Sequence, residues 1–372
     1  MAQVIRAQKG EAIAHFQYEG RLIKDIPFGN GHINDTFLLT FEVRKMGNMK
    51  VILQRMNKNV FEDPIMLMEN IMGVTTYLRE KITKEGGDPD RETLNVIPAL
   101  DGKPYYKDSF GDYWRSYVFI TDATSFDQVE NPEQFYQSGV AFGHFQKLLA
   151  DYPADTVFEV IKGFHDTRAR LETFRKAVQD DVMRRAAKVQ EEIRFVLDRE
   201  ELAGYLGECQ ERGELPLRVT HNDTKLNNIM IDNKTGKGIC VIDLDTVMPG
   251  LAVNDFGDSI RFGASTAAED ETDLSKVSCS MELFEAYTKG FIEGCDGRLT
   301  AREMELLPMG AKTMTFECGM RFLTDYLQGD IYFKIHREGH NLDRCRTQFK
   351  LVEDMENKWE QMKEIVSKYY DC

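Results

Sequence analysis

The sequence predicts an α+β chain folded as two lobes, a small antiparallel β-sheet followed by a larger and mostly helical part. Three observations carry this reading. Short strand-like runs bounded by Gly, Pro and Asn fill the first third of the chain. Helical periodicity dominates from Pro132 onward, with little strand outside one hairpin. That hairpin, inside the stretch 220–246, gathers Asp223, Asn228 and Asp243 at one end although they span twenty positions. The texture changes near residue 120, so the N-terminal lobe is expected at 1–120 and the C-terminal lobe at 121–372.

Length and composition set the bounds. The chain has 372 residues, room for two domains of ordinary size, and 42% of them are hydrophobic, enough for a large core. Lys and Arg number 47 against 62 Asp and Glu, a formal charge of −15 with no basic block, which argues against a nucleic-acid binder. An acidic chain can still take a nucleotide, because Mg²⁺ and backbone N–H groups neutralise the phosphates. The seven cysteines are odd in number and form no C-x-x-C pair, so they read as reduced thiols packed like small apolar residues. The first residues lack a signal-like apolar run, and no stretch reaches membrane-spanning length. The expectation is a soluble, cytoplasmic protein with neither a membrane nor a nucleic acid as partner.

Taken in order, residues 11–16 suggest a short opening helix and 21–27 a strand. A turn bracketed by glycines follows, and the chain resumes as a strand at Thr36. Strand, Gly-rich turn and strand can lay a backbone over nucleotide phosphates; an ordinary Asn-Gly hairpin accounts for the segment equally well. Residues 49–56 form the next strand. In a kinase-like lobe it would carry a cation for the phosphates, but Gln54 holds that position, and its neighbour Arg55 should point to the opposite face. Asp63-Pro64 opens a helix whose Met66, Met68, Ile71, Met72 and Tyr77 read as core. Glu69 on this helix either pairs with a phosphate-site cation or is solvated. Residues 95–100, 105–107 and 113–120 read as further antiparallel strands, the last being the most apolar and expected at the centre. Its end, 116–120, would meet an adenine edge, which places Tyr117 and Phe119 at the nucleotide.

In the second lobe, helices are expected at 135–150 and from a cap at Asp166 or Thr167 to Val178. A charged, solvated helix follows at 180–203, then others at 281–290, after a Thr300 cap and at 311–327. Residues 342–370 read as one long helix or two. The helix at 311–327 is mostly apolar but carries Thr313, Glu317, Arg321 and Asp325 every fourth residue, hence on one face. Such a stripe is either an internal ion-pair ladder or the floor of a polar pocket, where carboxylates and guanidinium bind hydroxyls.

The chemistry concentrates in the loop His221-Asn-Asp-Thr-Lys-Leu-Asn-Asn228 and the hairpin behind it. Asp223 would take the proton of an acceptor hydroxyl as it attacks a γ-phosphate. Asn228, through its amide oxygen, and Asp243, through its carboxylate, would hold Mg²⁺. His221 reads as a structural residue that orients the loop by a backbone contact. Asp245 reaches either a second metal or the adjacent helix. The letters D-F-G occur at Asp255-Phe256-Gly257, but over thirty residues past Asp223 and after no strand. Asp255 and Asp258 therefore read as acids that brace the catalytic loop or cap a helix, which leaves Asp243 as the metal ligand. Arg261 either faces the site or makes a structural ion pair.

Over nearly the whole chain this pattern resembles the aminoglycoside phosphotransferase and choline kinase superfamily, with its two-lobed protein-kinase-like fold. Within it, five segments are similar to the bacterial N-acetylhexosamine 1-kinases. They are Phe28-Gly-x-Gly-His-Ile-Asn, Arg218-Val-Thr-His-Asn-Asp-Thr-Lys-Leu-Asn-Asn, Ile242-Asp-Leu-Asp-Thr, Asp255-Phe-Gly-Asp-Ser-Ile-Arg-Phe-Gly and Glu317-Cys-Gly-Met-Arg-Phe-Leu-x-Asp-Tyr-Leu. The resemblance implies an enzyme that uses ATP and Mg²⁺ to phosphorylate the anomeric C1 hydroxyl of GlcNAc or GalNAc, in the salvage of host-glycan sugars. By position it makes Asp223 the base and a substrate contact, and Asn228 and Asp243 the Mg²⁺ ligands. Gly29, Asn30, Gly31, His32 and Asn34 become the nucleotide loop. Gln54 departs from the superfamily's common strand-three Lys, so phosphate neutralisation is expected to rest on Mg²⁺ or on Arg55. Glu317, Arg321 and Asp325 become the sugar pocket. Two rivals stand beside this reading. One is a kinase of another small alcohol, such as an amino alcohol or aminoglycoside, whose cationic acceptor needs a strongly acidic pocket. The other is a pseudokinase acting as a binding module, which Gln54 favours and the intact Asp223, Asn228 and Asp243 oppose.

Overall fold

Alternation of apolar and polar residues along three long strands builds the first sheet of the computed structural model, which describes residues 2–29 and 33–370. Helix α1 (Ala2–Ile13) precedes β1 (Arg21–Pro27), β2 (Asp35–Val43) and β3 (Gly47–Arg55). After them come α2 (Pro64–Glu85), the short α3 (Pro89–Glu92), β4 (Tyr106–Lys107) and β5 (Tyr113–Val118). The five strands pair antiparallel in the order β1-β2-β3-β5-β4. One face buries Phe37, Leu39, Val51, Leu53 and Trp114 together with Ala12 of α1, Phe16, Ile97 and Ala99. The opposite face presents a polar row, because the register sets Thr36 against Gln54 and Gln54 against Arg115.

Three expectations for this lobe need correction. The opening helix is α1, earlier than 11–16. Residues 95–100 are not a strand, since they meet their neighbours only at single bridges, Val96 with Tyr117 and Ala99 with Phe16. Pro98 lies between those bridges and has no N–H to donate to a ladder. The middle strand is β3, and β5 lies between β3 and β4.

Helix α2 starts where Asp63 accepts from the backbone N–H of Ile65 and Met66, with Pro64 in its first turn. Its buried stripe is Leu67, Met68, Ile71, Val74, Leu78 and Ile82, whereas Met66 is 41% exposed and Glu69 is solvated. This stripe packs with the second lobe's core. Asn70 fastens the join: its Nδ2 donates to Phe158 O at 2.8 Å and Val247 O at 3.1 Å, and its Oδ1 accepts from Phe158 N at 2.8 Å.

Past β5 the chain crosses to β6 (Ala123–Thr124), which pairs with a different sheet. The second lobe then runs α4 (Pro132–Leu148), α5 (Thr167–Asp180), α6 (Gln190–Leu197), α7 (Glu200–Glu211), β7 (Arg218–Thr220), β8 (Ile229–Asp232), β9 (Gly238–Val241) and β10 (Met248–Gly250). It closes with α8 (Ala252–Gly263), α9 (Met281–Cys295), α10 (Ala301–Glu305), α11 (Leu307–Gln328), α12 (His340–Asn357) and α13 (Trp359–Ser367). The small sheets are β6-β8-β9 and β10-β7. Asp166 caps α5, and Thr300 with Glu303 forms a capping box on α10. The charged segment 180–203 is not one helix: Asp181 takes φ 37 and ends α5, and a turn leads into α6 and α7. The C-terminal segment is two helices that meet at Lys358. Among the described residues no helix is long and apolar enough to cross a membrane.

Helices α4 and α9 cross through glycines. A Cβ on Gly290 would lie 2.2 Å from Tyr136 O, and one on Gly139 would lie 2.6 Å from Tyr287 O. Gly290→Ala is therefore expected to destabilise the fold by about 1–3 kcal/mol through overpacking. Gly207→Ala, on exposed helix α7 with nothing within 4 Å, should stabilise it, by about 0.5–1 kcal/mol. Urea midpoints measured side by side check the opposite signs.

Candidate active site

The loop 221–228 lies outside regular structure except for its last turn, so its buried backbone groups must be satisfied from elsewhere. Asp255, in the first turn of α8, supplies most of the acceptors. Its Oδ2 accepts from His221 N at 2.8 Å and Gln146 Nε2 at 2.8 Å, and its Oδ1 accepts from Asn222 N at 2.7 Å. Asp258 accepts from Thr224 N at 2.9 Å. Thr224 Oγ1 donates to Asp255 O at 2.5 Å, and Ser259 Oγ donates to Thr224 O at 2.6 Å. The D-F-G letters are thus a brace, as the sequence suggests. Arg261 is buried and pairs with Asp258 at 3.0 Å and Glu269 at 2.9 Å, so it is a structural ion pair. His221 also has the orienting role expected of it. Its Nε2–H donates to Ile242 O at 2.9 Å and its Nδ1 accepts from Asp223 N at 3.3 Å, so the neutral ring satisfies both contacts.

The hairpin brings the three chemical residues together. Ile229 is in register with Val241, and Ile242 N donates to Asn228 O at 2.9 Å, which sets Asn228 beside Asp243. Asn228 Nδ2 donates to Asp223 O at 2.8 Å and to Asp223 Oδ2 at 3.2 Å. This orientation leaves the Asn228 amide oxygen available to a cation. Lys225 Nζ lies 2.7 Å from Asp223 Oδ1. Burial works against the Asp223 charge, but Lys225 outweighs it and holds the carboxyl below its ordinary range. Asp243, at φ 60 and two residues past the end of β9, is different. Burial, then the neighbouring carboxylates of Asp245 and Asp223, push its pKa up to about 7. Crowded carboxylates raise the pKa of one of them, and a positive ion beside them would favour the charged form. An amide oxygen and a carboxylate are hard oxygen donors that fit a divalent cation sharing its remaining ligands with phosphates. No cluster of three or more His, Cys, Asp or Glu suited to a metal exists among the described residues, so the protein alone does not make a closed cage.

The residue opposite Gln54 on β5 is a cation, Arg115. Arg115, 1% exposed, donates from Nε to Gln54 Oε1 at 2.9 Å and forms an ion pair through Nη1 with Asp245 Oδ1. Gln54 Nε2 continues the row to Thr36 Oγ1 at 3.0 Å. Asn34 Nδ2 donates to Asp245 Oδ2 at 2.7 Å, so the strand-to-strand turn, the polar row and the segment after Asp243 are one network. Asp245 therefore reaches the first lobe. Arg55 is not the phosphate cation. It lies on the other face of β3, as strand alternation requires, held by Asp35 at 2.8 Å, Asp112 at 3.3 Å and Gln8 at 3.1 Å. Tyr117 is buried with its ring under the Arg115 guanidinium, 5.3 Å away, so it supports Arg115 and does not line the cleft. Phe119 is half-buried and meets Phe28 edge-on at 5.7 Å, near Gly29 at φ 77. Asn30, Gly31 and His32 lie outside the described residues.

The stripe on α11 divides. Glu317 is fully buried and accepts from Thr167 Oγ1 at 2.6 Å, with His165 Nδ1 at 3.0 Å. Asp325, 2% exposed, accepts from the backbone N–H of Ile331, Tyr332 and Phe333 and from Asn341 Nδ2. Both carboxylates are occupied inside the protein, so neither lines a pocket. Helical spacing put them on one face, but that face is buried. Arg321 remains. Its guanidinium lies 5.5–5.8 Å from the rings of Phe164, Tyr332 and Phe333 and pairs with no carboxylate among the described residues. Sequence reasoning missed Arg115, Lys225 and His165. The available signals were an arginine inside an apolar strand, a lysine two residues after the base, and a histidine just before a helix cap.

Residues 100–277 match the model of the phosphotransferase enzyme family APH, a span that holds the loop 221–228, the hairpin and the α8 brace. The whole fold is shared with solved structures. An aminoglycoside phosphotransferase from Alicyclobacillus acidocaldarius subsp. acidocaldarius DSM 446 superposes with a TM-score of 0.62 at 12% identity, over 98% of this chain and 96% of that one. A microcompartment-associated aminopropanol kinase gives 0.57 at 14% identity, over 96% and 98%. The amicoumacin kinase hAmiN, in complex with AMP-PNP, Ca²⁺ and Ami, gives 0.55 at 12% identity, over 96% of each chain. The fold is the kinase-like two-lobed α+β one, and the family match supports a phosphotransferase.

Arg115→Met leaves Asp245 buried without its counter-charge, and stability is expected to fall by about 3–5 kcal/mol. Arg115→Met combined with Asp245→Leu should recover most of that loss. A double-mutant cycle in urea checks this, and additive losses would show that the two side chains are not coupled.

Proposed function

We propose that the chain is an ATP- and Mg²⁺-dependent kinase that phosphorylates the anomeric C1 hydroxyl of N-acetylhexosamines, GlcNAc or GalNAc, with Asp223 as base. The observation that carries the reading is the meeting of Asp223, Asn228 and Asp243 at one end of the hairpin, on a loop braced from α8. Asp223 is ionised at neutral pH and takes the acceptor proton while the acceptor oxygen bonds to the γ-phosphorus and the bond to the ADP oxygen breaks. Lys225 places an ammonium against the same carboxylate and limits its charge until the acceptor arrives. Asn228 and Asp243 would hold Mg²⁺, which neutralises phosphate charge in the transfer. The turn from Gly29 to Asn34 is the part that would cover the nucleotide, with Phe28 and Phe119 beside it.

Two features support the sugar as acceptor. The motifs around Asp223, Asp243, Asp255 and Glu317 are similar to those of the N-acetylhexosamine 1-kinases. The acceptor side also lacks a free carboxylate on α11, and offers Arg321 among three aromatic rings. Aromatic faces and a guanidinium suit an uncharged, hydroxyl-rich ring. A cationic acceptor such as an amino alcohol or aminoglycoside would find no unpaired acid on α11 among the described residues.

Asp223→Asn should lower kcat by about 10²–10⁴-fold while ATP binding stays the same, because the lost group acts on the acceptor. Survival of activity within a few fold would remove Asp223 from the role of base. In an ADP-release assay with a panel of sugars and amino alcohols, GlcNAc or GalNAc should turn over and their methyl glycosides should not. Turnover of a methyl glycoside would rule out C1, and silence across the panel would favour a binding module.

A further inference from the structure

His165 lies in the segment just before α5, between the acceptor side and the catalytic loop. Its two ring nitrogens meet two groups that only accept. Nδ1 is 3.0 Å from Glu317 Oε1, and Nε2 is 3.2 Å from the backbone oxygen of Asn222. A neutral imidazole carries one N–H, so one of these contacts would set a lone pair against an acceptor. With Glu317 ionised, as the Thr167 hydroxyl and the nearby cations favour, only the imidazolium satisfies both. His221, by contrast, has one acceptor and one donor and needs no charge.

The Asn222 carbonyl is the last peptide oxygen before Asp223. The rest of Asn222 is already fixed: its N–H by Asp255, and its side chain by Thr220 O at 3.3 Å and Thr246 O at 2.9 Å. Its φ of 65 is a conformation that needs such support. His165 supplies the remaining contact. We propose that His165 acts as a buried imidazolium and a positioning residue for the base, holding the peptide that carries Asp223 with Glu317 as its counter-ion; this rests on Asp223 being the base. The same segment touches the acceptor side, because Phe164 packs on His165 at 4.6 Å between ring centres and lies under Arg321. The base is thereby tied to the wall of the acceptor pocket.

The charged groups that act on the ring are Glu317 from α11 and Asp258 from α8; Arg321 from α11 and Arg170 from α5 act in turn on Glu317. Burial opposes a charge on His165, but the Glu317 carboxylate outweighs it, with Asp258 adding in the same sense, and the ring's pKa is raised. Burial likewise opposes the Glu317 charge, and His165 outweighs it. With the folded pKa raised, the imidazolium and the stability it contributes are fully present below the ordinary histidine range. Both are lost as pH rises through the folded value.

Two measurements on the full-length protein test this. The first is nitrogen-15 NMR of the histidine rings, which needs no activity. The signal that disappears in His165→Gln should show both nitrogens protonated at pH 7 and should titrate above the ordinary histidine range. A neutral tautomer at pH 7 would overturn the proposal. The second is the pH profile of kcat with the acceptor sugar. His165→Gln should lower kcat by about 10–100-fold through misplacement of the base, with KM for ATP changed by less than about 2-fold, and should remove the alkaline fall in rate. Glu317→Gln should move that fall to lower pH. An unchanged profile in both variants would also overturn it. If the wild-type protein phosphorylates no sugar, the sugar-kinase reading fails by itself, and the NMR titration still decides the state of His165.

Discussion

The buried carboxylate of Asp255 is the constraint on which the site depends. It accepts two successive backbone N–H groups, from His221 and Asn222, and a third bond from Gln146 on α4. Burial pushes its pKa up, and those donors oppose the rise. Its place in the first turn of α8, where the helix dipole favours negative charge, adds to them. Because adjacent N–H groups are held by one rigid carboxylate, the loop has little freedom to present Asp223 differently. Asp258, Ser259 and Thr224 extend the grip by two residues. Losing one buried acceptor would leave several donors without partners, each costing about 1–3 kcal/mol.

A second theme is how an acidic site is kept together. Asp223, Asp243 and Asp245 lie close enough that Asp243 feels the other two. Two cations answer them from the protein, Lys225 at Asp223 and Arg115 at Asp245. The substitution of Gln54 for a strand-three lysine does not leave the polar row without a cation. The residue directly opposite it on β5 is an arginine, and Gln54 bonds to that arginine. The network continues through Thr36 on one side and Asn34 on the other, so the turn between β1 and β2 is tied to the segment behind the metal candidates. The two lobes are thus joined by charge at the cleft and by apolar packing along α2.

Much of this was legible in the sequence. The loop 221–228, the hairpin and the strand that comes just before Asp243 depend on local signals, namely turn residues and β-branched runs, and these survive folding. The brace at Asp255 was legible from its distance past Asp223, although a short strand, β10, does come just before α8. Part of what failed depended on a local breaker, and part on partners that spacing along one helix does not show. Residues 95–100 look like a strand, but Pro98 limits them to isolated bridges. Glu317 and Asp325 looked like a pocket floor, yet they point inward to His165 and to the backbone of residues 331–333. Arg55 and Arg115 were separable by strand alternation and register, but the register across β3 and β5 is set by the fold and is not written in either strand alone.

The most direct test of the central claim is the chemical identity of the product. Incubated with ATP, Mg²⁺ and GlcNAc or GalNAc, the protein should yield a sugar phosphate whose phosphorus-31 NMR signal is coupled to the anomeric proton. A signal coupled instead to a proton at another carbon, or no sugar phosphate at all, would contradict the account.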